Sequence, residues 1–176
     1  MIYSQLFARI KLVSLLLLLI SCTGALFAQT AGDNARISVN IISALAIPTI
    51  TDLNFGNIAV GTFTGSVLLS PEGNRTVTGT CQISGASPGT VTAASLAITG
   101  QGSYTYGITL PSHAIALAGT GTPMSMDTYI SNPSNTGLLT SGTQTLKVGG
   151  TLHVAGNQAE GTYSLPSGLN ISVFYN

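Results

Sequence analysis

The sequence predicts an all-β domain, a sandwich or barrel of about nine or ten short strands, behind a cleaved export signal. Three observations carry that expectation. From residue 37 onward, almost every segment alternates apolar and polar residues with period two. Clusters of Gly, Pro, Asn and Ser separate the alternating runs. Outside the N-terminal segment, no run shows the 3.6-residue period of a helix.

The N-terminal segment reads as a secretory signal over residues 1–28. Arg9 and Lys11 form a positive flank, Leu12 to Ile20 is apolar apart from Ser14, and small residues lead to Ala28, so that Gln29 begins the mature chain. The apolar run is shorter than the ~20 residues a membrane span requires, and no later stretch approaches that length. Leu19-Ile20-Ser21-Cys22 offers a second exit that would leave Cys22 acylated as a lipoprotein. Thr23 to Phe27 argue against it, because a lipoprotein tether is usually polar and flexible, and these residues remain apolar.

Strands are expected near residues 37–47, 53–58, 63–70, 75–84, 91–99, 103–110, 113–118, 124–131, 143–155 and 161–175, each placed by its alternation. Val77, Gly79, Cys81 and Ile83 share one face, opposite Thr76, Thr78, Thr80 and Gln82. Tyr104, Tyr106, Ile108 and Leu110 share another; Leu146, Val148, Gly150, Leu152 and Val154 oppose Lys147, Gly149, Thr151, His153 and Ala155. Leu169, Ile171, Val173 and Tyr175 form the last apolar face. Such alternation marks a strand with one side in a core and the other in solvent. Turn clusters at 71–74, 85–89, 100–102, 132–135 and 156–157 separate the runs. Residues 29–176 form one domain, with neither a linker nor a second domain.

Composition excludes several functions. The mature chain keeps three basic residues (Arg36, Arg75, Lys147) against five acidic ones, a net charge of −2. Scattered cations cannot displace counterions from phosphates as nucleic-acid binding requires. Once Cys22 leaves with the signal or carries lipid, Cys81 has no disulfide partner and is expected to sit in the core as a small hydrophobe.

No residue set argues for catalysis, a metal or a cofactor. Gly85-Ala86-Ser87-Pro88-Gly89 matches a nucleophile-elbow pattern, but the residue after the serine must lend an oxyanion-hole N–H, and Pro88 has none. His113 and His153 lack the convergent partners of a zinc site. The stretch beginning at Asp52 departs from a calcium loop at Gly56 and Phe63. Asp127 and Glu160 have no carboxylate partner nearby in sequence for acid–base work. Tyr104 and Tyr106 could stack on a sugar, yet their phase with Ile108 and Leu110 points to the core.

Several short motifs occur in order along the chain: Leu53-Asn54-Phe55-Gly56, residues 69–75, Ile98-Thr99-Gly100, Met124-Ser125-Met126-Asp127, residues 148–152, residues 157–163 and the ending Val173-Phe174-Tyr175-Asn176. Together they resemble the exported bacterial family called domain of unknown function 4402, to which no activity is attached. More distantly, Gly161-Thr162-Tyr163 ahead of a last strand with Tyr175 next to last is similar to fimbrial and spore-coat-U-type subunits. That likeness implies an immunoglobulin-like or pilin-like β-sandwich, although the fimbrial disulfide is absent.

The expected function is therefore a non-enzymatic structural subunit of a surface fibre or coat, outside the cytoplasm, needing no cofactor. Its partners would be copies of itself or related subunits, and a periplasmic chaperone. The residues expected to assemble it are Ile37, Val39 and Ile41 on the first strand, with Gly161, Tyr163, Leu169, Ile171, Val173 and Tyr175 at the end of the chain. The competing expectation is a monomeric adhesion module that presents loops such as 131–142 to sugar or protein.

Overall fold

A computed structural model describes residues 36–83 and 87–176. The expected signal at 1–28, including Cys22, lies outside the described residues. The body of the protein spans Ile41–Asn176. It is an all-β sandwich whose strands pair antiparallel, and the described residues contain no helix. The strands, in chain order, are β1 (Ala46–Thr51), β2 (Ile58–Ala59), β3 (Gly65–Leu69), β4 (Arg75–Gly79), β5 (Gln82–Ile83), β6 (Ala94–Thr99), β7 (Thr105–Thr109), β8 (Ile115–Leu117), β9 (Met124–Asn132), β10 (Thr136–Leu138), β11 (Thr143–Val154) and β12 (Ser172–Tyr175).

The long strand β11 organises the larger, seven-stranded sheet. β9 runs along one edge of β11 over residues 147–153. The other edge serves two strands in succession, β6 over 143–148 and β3 over 150–154. β1 extends the sheet beyond β6, β4 beyond β3, and β8 beyond β9. The change of partner falls at Gly149-Gly150. A Cβ on Gly149 would collide with the Leu69 carbonyl, so this crossing of strands requires glycine there, whereas one on Gly150 would only displace the flexible end of Met126. β10, β7 and β12 form a second sheet, and β2 pairs with β5.

Two cores result. Ala94, Leu96 and Ile98 of β6 and Leu146 and Val148 of β11 meet Tyr106 of β7 and Leu139 between the two larger sheets. Leu45, Ile47, Ile108, Leu169, Ile171, Val173 and Tyr175 border this core half-buried. Within the curl of the larger sheet, Val67, Leu69, Met124, Met126, Leu152 and Val154 pack around Phe55 and Cys81. Leu53 touches both cores.

The structure differs from the strand-by-strand expectation at five places. Regular pairing begins at Ala46, not near 37, because alternation supplies a face but no neighbour to pair with. Residues 53–57 form a loop instead of most of a strand. The run 75–84 breaks after Gly79, whose φ of +68° turns the chain; beyond the break Cys81 is buried as expected, while Ile83 is exposed. Only Ser172–Tyr175 of 161–175 is strand, since Leu165 to Gly168 closes a turn through Gly168 N–H to Leu165 O at 2.9 Å. The short β10 has no counterpart among the expected strands.

Candidate functional site

The residues expected to assemble the protein fall into three groups. Ile37, Val39 and Ile41 precede β1 in a stretch without regular structure, and they are 96%, 83% and 88% exposed. Leu169, Ile171, Val173 and Tyr175 border the core between the sheets and remain half-buried. Gly161 and Tyr163 lie over the loop that follows β8, away from the Leu169–Tyr175 group.

Among the described residues β12 has β7 as its only strand partner, so its second edge is unpaired. An unpaired edge beside half-buried apolar side chains is a template for another strand. Phe174, on the outward face of β12, is 53% exposed and lies across Gly107 of β7, where a Cβ would collide with its ring.

Tyr175 does more than border a core. Its hydroxyl donates to Ser43 O at 2.8 Å and accepts from the Gln101 N–H at 2.6 Å, while Ser43 N–H donates to Gln101 Oε1 at 3.4 Å. These bonds close a ring across the chain ends. Gly100 is needed beside it, because a Cβ there would collide with the Tyr175 hydroxyl. The Tyr104 ring meets the Tyr175 ring edge-on, with centroids 5.8 Å apart, whereas Tyr106 is fully buried with its hydroxyl donating to Gln144 Oε1 at 2.8 Å. Sequence phase thus placed Tyr106 correctly and buried Tyr104 too deeply.

Gly161 and Tyr163 belong to a second knot. The Tyr163 hydroxyl donates to Ala159 O at 2.9 Å and accepts from Gln158 Nε2 at 2.8 Å. Gln158 is buried and also donates to Thr122 O at 2.5 Å. Gly161 has φ of +145°, a conformation nearly reserved for glycine, and a Cβ there would strike Thr120. Nothing in this geometry joins Gly161 or Tyr163 to the β12 edge. Their contacts hold a loop closed.

The outer face of the large sheet carries a feature that sequence reading missed. His153 Nε2 and Asp127 Oδ1 are 2.8 Å apart, on adjacent strands β11 and β9. The hydrogen bond from His153, and then the one from the Thr128 hydroxyl, hold the Asp127 carboxyl below its usual range. Alternation had shown His153 to be outward, but it could not show that a β-bulge opposite Gly150 brings Asp127 to it. His113 is exposed, and no group of three His, Cys, Asp or Glu among the described residues could hold a metal ion. Nor is any helix among them long and apolar enough to cross a membrane.

The family model named Domain of unknown function (DUF4402) matches residues 45–175. The chain belongs to that family. Neither the curated proteins nor the solved structures returned a match. In this DUF4402 member the motifs quoted above serve the fold. Arg75 Nη1 donates to Phe55 O at 2.5 Å and Asn57 O at 3.1 Å, so a side-chain cation occupies the centre of the loop that faintly resembled a calcium site. Gly56, at φ +69°, receives the Asn54 side chain on its N–H at 2.8 Å in an Asx turn. Of the elbow-like pentapeptide, Gly85 and Ala86 lie outside the described residues. The Ser87 and Pro88 carbonyls accept hydrogen bonds from Asn57 at 3.0 and 2.8 Å.

Proposed function

We propose that this protein is a non-enzymatic, exported structural subunit of a surface fibre or coat, whose copies join by β-strand pairing. The observation that carries the reading is a complementary pair of surfaces. Ile37, Val39 and Ile41 alternate with Ser38 and Asn40 in an exposed segment that has no strand partner among the described residues. β12 offers an unpaired edge flanked by half-buried Leu169, Ile171 and Val173. A segment of one copy laid along β12 of the next would gain main-chain hydrogen bonds, and its alternate side chains would cover those residues. The signal-like N-terminus supports a destination outside the cytoplasm, and the mainly uncharged outward faces suit close packing of copies. A periplasmic chaperone that shields the edge before assembly is the partner this reading calls for.

The test compares the mature chain with a chain lacking residues 29–42. The mature chain should run as a detergent-resistant ladder in unheated gels. The shortened chain should fold, because regular pairing begins at Ala46 and, of the described residues it loses, only Ile42 is even half-buried. It should form no ladder, and should bind a peptide of residues 35–43. Monodisperse monomer from the mature chain at high concentration, with no peptide exchange, would sink the proposal.

A further inference from the structure

The outer face of the large sheet carries a site that is independent of strand exchange. Cross-strand register sets Thr78, Ser66, His153 and Ser125 in one row over β4, β3, β11 and β9. The Ser66 and Thr78 hydroxyls are hydrogen-bonded at 2.7 Å. Small side chains surround the imidazole, leaving it in a shallow trough of about 540 Å³ that also involves Thr64, Ala155 and Gln158.

Two details separate this trough from an ordinary solvated sheet face. Asp127 takes His153 Nε2 as its partner, which orients the ring and leaves Nδ1 as the nitrogen available to a ligand. The carboxylate is itself held by Thr128, whose φ of +49° is a genuine outlier for a β-branched residue and whose hydroxyl donates to Asp127 Oδ1 at 2.9 Å. Backbone strain of this kind clusters at ligand clamps and other functional sites. Thr128 lies in the β-bulge next to Asp127, so the strained residue neighbours the carboxylate that orients the histidine.

The chemistry of the lining selects the ligand. Ser and Thr hydroxyls both donate and accept hydrogen bonds, as sugar hydroxyls do, and the free imidazole nitrogen adds an acceptor for a sugar O–H. No Lys or Arg lines the trough, and Asp127 beside it disfavours anions. The apolar part of the lining, Gly65, Gly79, Pro123, Val154 and Ala155, includes no aromatic, Leu, Ile or Met side chain to anchor a hydrophobic peptide. We propose that the trough binds a short stretch of uncharged glycan, with His153 contacting it and Asp127 acting as a positioning residue. A shallow, water-exposed site of this kind binds weakly, with Kd on the order of 1 mM.

The test follows His153 ring and Ser66 and Ser125 signals by NMR in the mature protein. The probes are uncharged malto-, cello- and manno-oligosaccharides, with a sulfated heparin oligosaccharide as the anionic comparison. At least one uncharged probe should shift all three sets of signals saturably. His153→Ala should weaken it about tenfold or more, and Asp127→Asn several-fold, with the dispersion of all other signals retained. The proposal is overturned if the uncharged probes leave these signals unmoved, if the sulfated probe binds more tightly, or if folded His153→Ala binds as the native protein does.

Discussion

Changing Tyr175 to Phe removes one oxygen from the ring of hydrogen bonds that joins Ser43, Gln101 and Tyr175. The aromatic ring keeps its contact with the core, so the loss is confined to two bonds. The half-buried Gln101 N–H loses its acceptor, which costs about 1–3 kcal/mol, and the bond to Ser43 O contributes about 0.5–1.5 kcal/mol more. Partial access of water to both groups argues for a sum near 2 kcal/mol. At roughly 2 cal/mol/K per residue, the body of the protein unfolds with an entropy of about 0.3 kcal/mol/K, so Tm should fall by about 7 °C. A second substitution sharpens the test. Gly100→Ala alone should destabilise strongly, since its Cβ collides with the Tyr175 hydroxyl, but should cost much less in a Tyr175→Phe background. Calorimetry or urea unfolding of the two single variants and the double variant measures that coupling. Effects that add to within about 0.5 kcal/mol would refute the ring as described.

Four further outcomes follow from the same contacts. Gly161→Ala should cost about 1–3 kcal/mol, seen as a lowered urea midpoint, because φ of +145° and the contact with Thr120 both oppose a side chain. Gln158→Leu should destabilise by about 2 kcal/mol, read the same way, by stripping partners from Thr122 O and the Tyr163 hydroxyl. Burial raises the Cys81 thiol pKa, so alkylation should be slow until the domain unfolds, and rapid labelling of native protein would place Cys81 at the surface. Glu72, through hydrogen bonds from Ser70, its own backbone and Asn132, and Asp127, through those from His153 and Thr128, have folded-state pKa values below their usual 4.5 and 3.8. Their stabilisation is therefore fully present above those values and disappears as pH falls through the lower folded-state values; Glu72→Gln and Asp127→Asn should flatten the acid side of a Tm-against-pH curve.

Local patterning carried much of the fold because the period of a strand is written in adjacent residues. Leu146, Val148, Leu152 and Val154 are buried and His153 and Lys147 exposed, as their alternation requires. Tyr106 is buried for the same reason of phase, and Cys81 is buried as expected, although the face it was to share with Val77 is broken at Gly79 and Ile83 beyond it is exposed. The absence of helix period was equally legible, as were the turns at 71–74 and 156–157. Pairing was not legible. Which strand lies beside which depends on contacts between residues far apart in sequence, so alternation over 37–45 could not reveal that this stretch has no strand partner among the described residues.

Tertiary structure alone decided what the distinctive motifs do. Arg75 meets the 55–57 carbonyls, Tyr175 meets Ser43 and Gln101, and Gly149-Gly150 lets β11 exchange β6 for β3 only once the chain is folded. It also separated Gly161 and Tyr163, which close a loop, from Leu169, Ile171 and Val173, which border an open edge. The pairing of His153 with Asp127 follows from register and a bulge, neither of which a single strand's sequence encodes. Side-chain period is a property of one strand, so the sequence by itself determined the all-β class and most of the core; hydrogen-bond partners belong to pairs of distant segments, so only the folded chain determined the edge, the knots and the trough.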